Sequence, residues 1–522
     1  MSEIEADGVQ GNEVEQAPLM ERLSDRLSPI LVKEVRQAMR GKYFKITFWI
    51  TLIMATLVGL GVCLEGVSGS HVDENLGRGF FIAQFACLIV ATHVLVPFST
   101  FLSMGGEWDE NTWDLLVLSN LKPRQIVLGK VLSGGVQALL YYCAFGPFLV
   151  FAFLLHGIDL GVLFTSLVVS FIVSLLLSCL AVAMSCFGQG KFTRVLLMVL
   201  LTAALVWTAF GTGVWGAGMM FRPGMLHDTE MLEAIGAGLT IGTAIAAYFF
   251  AAACSRLAHP EENRSTGLRA MSLLVVLSGL AWMSWVLGSR GRNEELLFGA
   301  CMSITFLFVT SIFYSTEQGR LGLRVAVTLP KNRLLGWLAL PMLPGGMRGL
   351  IFYTLSSLMV FCWMILHPLL ATGSLPFRNG QVWIPLMMMG TGFIYLGFPG
   401  GLLSRYLSEN WGRMTARIGV VALFIASIFL PAVLGYLIDL RSWAVWEHPL
   451  NLFMNFEYLW DNDLEFGAGV ILMLVLLAIT VLINGPRTLA MVKEHKKALA
   501  HRRWVLQQQA ARDAARQQPE AQ

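Results

Sequence analysis

The chain has 522 residues, of which 56% are hydrophobic and only 14% are charged, and its formal net charge is +3. Its mean hydropathy is +0.64. Soluble globular domains carry about a quarter charged residues, so a soluble enzyme or soluble binding module of this length is excluded. The composition predicts an all-α polytopic membrane protein built from repeated runs of roughly 20 apolar residues.

The N-terminal stretch, residues 1–20, contains five acidic residues and no basic residue before Pro18. A secretory signal needs a basic start and an apolar centre, and this stretch has neither. Its composition is typical of a short solvated segment without a core. We therefore predict a disordered acidic tail.

An amphipathic helix is predicted just before the first apolar run. Ser28 and Pro29 form a favourable helix start, with a capping hydroxyl and a proline in the first turn. Apolar and charged residues then alternate at helical spacing, which suits a helix lying in the membrane interface beside anionic lipid. The apolar side is formed by Ile30, Leu31, Val35, Ala38 and Met39, and the opposite side by Lys33, Glu34, Arg36 and Arg40. The alternative is a basic flank that only orients the first span.

Apolar runs predict about twelve transmembrane helices, arranged as a possible pair of six-span halves. The two halves are residues 21–255 and 256–486, followed by a basic C-terminal helix or tail over residues 487–522. The predicted spans are 44–64, 79–104, 131–155, 161–187, 195–219, 235–254, 271–288, 297–314, 350–371, 382–403, 418–438 and 467–484.

The distribution of basic residues predicts the orientation of these spans. The segments on the side of the two termini carry 31 of the 37 Lys and Arg residues, and the opposite segments carry six. Positively charged loops stay in the cytoplasm. We therefore predict a multi-pass protein of the inner (plasma) membrane with both termini in the cytoplasm.

No motif predicts catalysis, a cofactor or a metal in this chain. None of the eight cysteines forms a CxxC pair, and neither a GxxxxGK[ST] phosphate loop nor a hydrolase triad pattern occurs. No acidic residue, lysine or arginine lies deep inside a predicted span, whereas ion-coupled carriers usually need such a residue. His93 is the only deep histidine, and we interpret it as a packing residue more readily than as a proton relay. A nucleic-acid role for the basic tail is not indicated.

The polar segment after the second predicted span carries the strongest functional signal. It reads GEWDENTWDLLVLSNLKPRQIVLGKVL, from Gly106 to Leu132, with four acidic residues followed by three basic ones. Pro123 is well placed to begin a helix that leads into the third span. We predict a helix–turn–helix shelf on the cytoplasmic surface, able to contact a soluble partner.

This segment and the preceding SPILVKEVRQAMRGKYF resemble two parts of the permease subunits of type-2 ABC exporters. The first part resembles the interfacial elbow helix of that family, and the second resembles its cytoplasmic segment after the second span. The positions that match the second part are Glu107, Thr112, Trp113, Asp114, Leu115, Leu116, Pro123, Arg124, Gln125, Ile126, Gly129 and Lys130.

The resemblance implies a membrane permease subunit that works with a separate ABC-type ATPase, so that this chain itself is not an enzyme. It implies export, with import left open, and docking of the ATPase at Glu107, Trp113, Leu116 and Arg124. Trp113 and Leu116 would supply apolar area, while Glu107 and Arg124 would fix the register through charge. The chain could act alone or pair with a second permease chain. The alternatives are a non-transporting membrane scaffold and a secondary carrier or facilitator.

A second polar segment occupies the corresponding place in the second half. There Glu317 and LPKNRLLG follow the second span of the set, as Glu107 and LKPRQIVLG do in the first half. We interpret this as a degenerate repeat of the first half. The alternative is that basic cytoplasmic loops look alike in any membrane protein.

Overall fold

We analysed a computed structural model of the full chain. It describes residues 29–68, 76–109, 122–155, 158–188, 190–221, 228–259, 261–290, 293–317, 321–373, 383–406, 415–427, 429 and 468–517. The acidic tail and residues 110–121, in the polar segment between the second and third predicted spans, lie outside these residues.

The described residues form helices and no strands, which confirms the predicted all-α fold. A six-residue π-helical stretch covers Val90–Leu95, and a short 3₁₀ turn covers Leu340–Met342. The helices of the first part of the chain are α1 Pro29–Arg40, α2 Lys42–Ser68, α3 Leu76–Ile89, α4 Val96–Asp109, α5 Pro123–Leu154, α6 Leu160–Phe187 and α7 Lys191–Phe221. The later helices are α8 Thr229–Leu257, α9 Thr266–Arg290, α10 Asn293–Ser315, α11 Leu323–Val327, α12 Arg333–Leu338, α13 Gly346–Thr372, α14 Trp383–Tyr406, α15 Thr415–Ser427 and α16 Ala468–Gln517.

Ten of the described helices are long and apolar enough to cross a membrane, so the chain is a multi-pass membrane protein. They coincide with ten of the twelve predicted spans. The tenth predicted span coincides with α14, which has 24 residues but is less apolar than those ten. The eleventh coincides in part with α15, and most of its second half lies outside the described residues.

The chain divides into two compact units, Met1–Thr229 and Glu230–Gln522. The boundary assigns α8, the sixth predicted span, to the second unit, whereas the predicted halves divided after residue 255. Compactness and internal repetition are different properties, so the repeat of two six-span halves stays a prediction.

In unit 1 the second predicted span is the central helix. It comprises α3, the π-helical stretch and α4, and more than half of its apolar window is buried. It packs against α5, α6 and α7, while α1 lies along α5. Small side chains make the close packing possible, since a Cβ at Gly134 on α5 would lie 2.8 Å from Cγ2 of Thr100 on α4.

The π-helical stretch widens this central helix at His93, whose side chain is fully buried. Its Nδ1 lies 3.1 Å from Oγ1 of Thr92. Ser174, on α6, donates a hydrogen bond of 2.7 Å to the Thr92 carbonyl and so satisfies a polar group in this part of the helix. The Nε2 of His93 has no hydrogen-bond partner among the described residues, and the interpretation of His93 as a packing residue stays a prediction.

In unit 2 the corresponding centre is α10, the eighth predicted span, which is buried to the same extent as the central helix of unit 1. It packs against α9, α13 and α14, around a core that contains Phe308, Tyr353 and Tyr395. Helix α16 lies along α14 and also contacts α11.

The basic C-terminal region is an extension of the last predicted span. Both belong to α16, a single helix of 50 residues, which at 1.5 Å per residue is about 75 Å long. One side of its basic part is covered, because Ala498 and Leu499 pack in a small apolar cluster with Val325, Leu329 and Leu343. The basic region therefore packs on the chain itself at Ala498 and Leu499.

Candidate functional site: buried ion clusters at the helix ends

The first candidate site lies around a buried lysine at the start of α5. Lys130 is the eighth residue of α5 and is 2% exposed. Its Nζ lies 2.9 Å from Oε1 of Glu107, 3.1 Å from Oε2 of Glu34 and 3.1 Å from Oγ of Ser103. The ammonium group has three donors, and each one has an acceptor. We call Glu34, Ser103, Glu107 and Lys130 the Lys130 cluster.

The Lys130 cluster connects three elements that are distant in sequence. Glu34 comes from α1, Glu107 from the last turn of α4, and Lys130 from the second turn of α5. Two carboxylates share one ammonium in a nearly dry place, and the exposed Lys33 lies 3.8 Å from the other oxygen of Glu34. Removing one member of such a group leaves an uncompensated buried charge, which is strongly destabilising. The three helices are therefore held together at one point.

The burial of Glu34 corrects the predicted face pattern of the interfacial helix. Glu34 was placed on the polar side of α1, but it is 5% exposed because that side faces α5. Its spacing of four residues from Ile30 and from Ala38 is the sequence signal that places it on their face of the helix. An acid within an apolar row predicts a buried ion pair, and Lys130 is the base that meets it.

Of the four predicted docking residues, two are described by the structure. Glu107 points into the Lys130 cluster and its side chain is only 12% exposed. Arg124 is exposed in the first turn of α5. That turn is stabilised by Gln125, whose Oε1 accepts a 3.1 Å hydrogen bond from the backbone N–H of Lys122. Trp113 and Leu116 lie outside the described residues. Glu107 and Arg124 thus have different surroundings, one internal and one open to a partner.

The second candidate site lies in unit 2, around a fully buried arginine near the start of α9. Nη2 of Arg269 lies 2.9 Å from Oε2 of Glu317, which follows the end of α10. Nη1 of Arg269 donates hydrogen bonds to the carbonyls of Pro341, at 2.7 Å, and Leu343, at 2.6 Å. The guanidinium also lies over the ring of Tyr314, 5.3 Å from its centroid.

Glu317 is held by further donors. Ser265 donates a hydrogen bond to its Oε1, and the backbone N–H of Gly345 donates to its Oε2 at 3.1 Å. Gly345 has a φ of 127°, a conformation that only glycine adopts readily. We call Ser265, Arg269, Glu317 and the carbonyls of residues 341 and 343 the Arg269 cluster.

A neighbouring ion pair joins α16 to the same connection between α10 and α13. Nη2 of Arg348, in the first turn of α13, lies 3.0 Å from Oε2 of Glu494 on α16. The other oxygen of Glu494 accepts a 2.5 Å hydrogen bond from the backbone N–H of Leu321. Nε2 of His495, the next residue, lies 3.1 Å from the carbonyl oxygen of Gly336. The second polar segment is thus fixed from two sides.

Sequence reasoning paired Glu317 with Glu107 by position but did not identify Lys130 as the partner of Glu107 or Arg269 as the partner of Glu317. The available signal is a basic residue one or two positions before a predicted span, as Lys130, Arg269 and Arg348 are before the spans that begin at 131, 271 and 350. The signal does not say which acid each base contacts, because the partners are up to 146 residues away.

Comparison of the chain with protein-family models, with curated proteins and with solved structures finds no match. The likeness to type-2 ABC permeases therefore depends on the quoted sequence motifs alone.

Proposed function

We propose that this chain is the permease subunit of an ATP-driven ABC transporter, with export as the direction and hydrolysis supplied by a separate ATPase subunit. In this proposal the protein lies in the inner membrane with both termini in the cytoplasm. The multi-pass helical fold and the excess of basic residues on one side support this placement.

The observation that carries the proposal is the Lys130 cluster. The predicted docking segment runs from Glu107 at the end of α4 to Lys130 in α5, and these two residues bind to each other. Glu34 joins α1 to the same point. A force applied to the docking segment would therefore act on two membrane helices and on the interfacial helix together, as coupling to an external ATPase requires.

The placement of charge also favours an external energy source. Lys130, Arg269 and Arg348 are the most buried lysine and arginine residues of the described chain, and each lies within the first eight residues of its helix. A carrier driven by protons or sodium usually has its ionisable residues in the middle of the spans. The sequence has no phosphate loop of its own. A partner that hydrolyses ATP would supply the energy.

The structure refines the roles assigned to the docking residues. In the proposal, Trp113 and Leu116 provide the apolar area that the ATPase covers, and the exposed Arg124 pairs with an acidic group on it. Glu107 acts as a positioning residue, because its carboxylate is bound to Lys130 inside unit 1. Closure of the ATPase around ATP would then tilt α4 and α5 and shift the balance between inward-open and outward-open states.

The test is purification of the tagged, full-length chain from its own cells in native lipid, followed by measurement of ATP hydrolysis. We expect an ATPase with a GxxxxGK[ST] loop to co-purify. Trp113→Ala/Leu116→Ala should lower both its recovery and the hydrolysis by about tenfold or more, since two central apolar residues commonly dominate an interface.

The matched control is Trp207→Ala/Leu200→Ala on α7, which removes the same two side-chain types. Trp207 is 77% exposed and Leu200 is 52% exposed, on a face suited to lipid, so recovery should not change. A scaffold would co-purify with partners but show no substrate-stimulated hydrolysis, and a carrier would transport without any ATPase. Undiminished recovery and hydrolysis in the Trp113/Leu116 variant would contradict the proposal.

A further inference from the structure

Helix α12 presents a row of leucines that the rest of the described chain leaves uncovered. Leu334, Leu335 and Leu338 are 74%, 53% and 72% exposed. Its other side faces α16, because the ring of Trp337 lies 4.8 Å from the ring of His495 and a Cβ at Gly336 would touch Leu499. Helix α12 therefore has two apolar sides. One is packed on α16, and the other is open.

The open side lies close to the level at which the membrane helices end. The 3₁₀ turn begins two residues after α12, and α13 begins at Gly346, only eight residues after Leu338. The carbonyls of Pro341 and Leu343 accept hydrogen bonds from Arg269, the fourth residue of α9. Since α9 and α13 are both candidate spans, the chain around α12 is held at their ends.

Exposed basic residues accompany the leucines. Lys331 lies two residues before α12 and is exposed, and the side chain of Arg324 on α11, which pairs with Glu261 at 3.2 Å, is 72% exposed. Leucines that dip into the acyl boundary beside lysine and arginine at headgroup level are the arrangement that binds a surface of anionic lipid.

We propose that Leu334, Leu335 and Leu338 insert into the interface of the bilayer, with Lys331 contacting anionic headgroups. Helix α12 then anchors the connection between α10 and α13 to lipid while its packed side holds α16. The patch is fixed to the ends of two spans, α9 and α13. The bilayer surface is therefore the partner that lies beside it. This assignment does not depend on the ATPase partner and is tested without it.

The experiment uses the full-length chain in nanodiscs that contain equal parts of phosphatidylglycerol and phosphatidylcholine. A cysteine at position 334 or 338 (Leu334→Cys, Leu338→Cys) carries an environment-sensitive fluorophore, and the unmodified chain, with its eight native cysteines, serves as the labelling blank. We expect quenching by headgroup-proximal nitroxide lipids to exceed quenching by aqueous iodide by about twofold at both positions.

Gln507→Cys is the matched control, because Gln507 is exposed on the distal part of α16 and should be quenched by iodide instead. Replacing phosphatidylglycerol by phosphatidylcholine, or Lys331→Gln, should reduce the lipid quenching at position 334. Iodide quenching at positions 334 and 338 equal to that at 507 would overturn the proposal. Protection from both quenchers would also overturn it, because a protein would then cover the patch, and indifference to the headgroup would overturn the role of Lys331.

Discussion

Both units bury a base near the end of their central helix, but the two bases have different kinds of contact. Among the described residues, the ammonium of Lys130 contacts three side chains, the carboxylates of Glu34 and Glu107 and the hydroxyl of Ser103. Arg269 contacts one carboxylate, that of Glu317, and the backbone carbonyls of a connecting segment. The first base joins helices to one another, and the second fixes the course of a loop.

The difference follows from the chemistry of the two side chains. A lysine ammonium is a compact charge that three separate acceptors can approach, whereas the arginine guanidinium is a planar group with five donors at fixed angles. A guanidinium can therefore specify where successive carbonyls lie. We infer that the connection after the central helix is constrained internally in unit 2, while in unit 1 the two ends of the corresponding connection are held together by Lys130.

The largest effect is expected from Lys130→Met. This change takes away the buried ammonium that the carboxylates of Glu34 and Glu107 share, which should cost about 3–5 kcal/mol of stability. Thermal unfolding of the purified chain in detergent measures it. The double variant Lys130→Met/Glu34→Gln removes one of the two charges and should recover part of the loss. A single variant that melts like the unmodified chain would show that the Lys130 cluster does not hold α1, α4 and α5 together.

A smaller effect is expected from Arg269→Lys. Lysine keeps the charge near Glu317 but cannot reach all the carbonyls that the guanidinium contacts, so about 1.5–3 kcal/mol should be lost with the charge-assisted hydrogen bonds. Lys130→Arg is the reciprocal change, and it tests in unit 1 the same difference between an ammonium and a guanidinium. If Arg269→Lys unfolds like the unmodified chain, the carbonyl contacts of residues 341 and 343 contribute nothing.

Glu494→Gln should cost about 1–2 kcal/mol, because the cation of Arg348 loses its anionic partner and the amide has one acceptor oxygen where the carboxylate used two. The local readout is tryptic cleavage of α16 after Lys493 or Lys496, which should become faster as the helix loosens from the segment near Leu321. Gln507→Ala, beyond the packed part of α16, is the control. Unchanged cleavage in Glu494→Gln would mean that the apolar contacts of Leu499 hold the helix by themselves.

The smallest effect is expected from Arg324→Ala. Arg324 pairs with Glu261 at 3.2 Å, but the side chains are 72% and 60% exposed, and exposed pairs of this kind contribute less than about 1 kcal/mol. The melting temperature of Arg324→Ala should be close to that of the unmodified chain, at low salt and at high salt. If Arg324→Ala lost as much stability as Arg269→Lys, the exposure of a charged side chain would not predict how much it stabilises this chain.

The sequence predicted the spans well because a membrane helix leaves a long local signal. Helix α6, Leu160–Phe187, matches its predicted span of 161–187 almost to the residue. Helix α5 begins eight residues before its predicted span, because Pro123 starts the helix and the charged residues of its first two turns are compatible with it.

The ion clusters were not predictable in the same way. Glu34 and Lys130 are 96 residues apart, and Arg348 and Glu494 are 146 residues apart, so no local pattern joins them. The packed side of α16 was missed for the same reason, since Leu321 and Gly336 are far from it in the sequence. Basic and acidic residues at span ends were visible, but which of them meet is decided by helix packing.

We propose that an ATPase binds the segment between α4 and α5. A photo-crosslinking amino acid at position 116 tests this proposal most directly. In cells that produce the full-length chain, we predict a crosslink from Leu116 to a protein with a phosphate-binding loop, and a change in its yield when ATP hydrolysis is trapped. The control position is Leu232 in α8, an exposed residue predicted to lie on the other side of the membrane, which should give no such product. Equal yields at the two positions, or no ATPase among the products from position 116, would contradict the account.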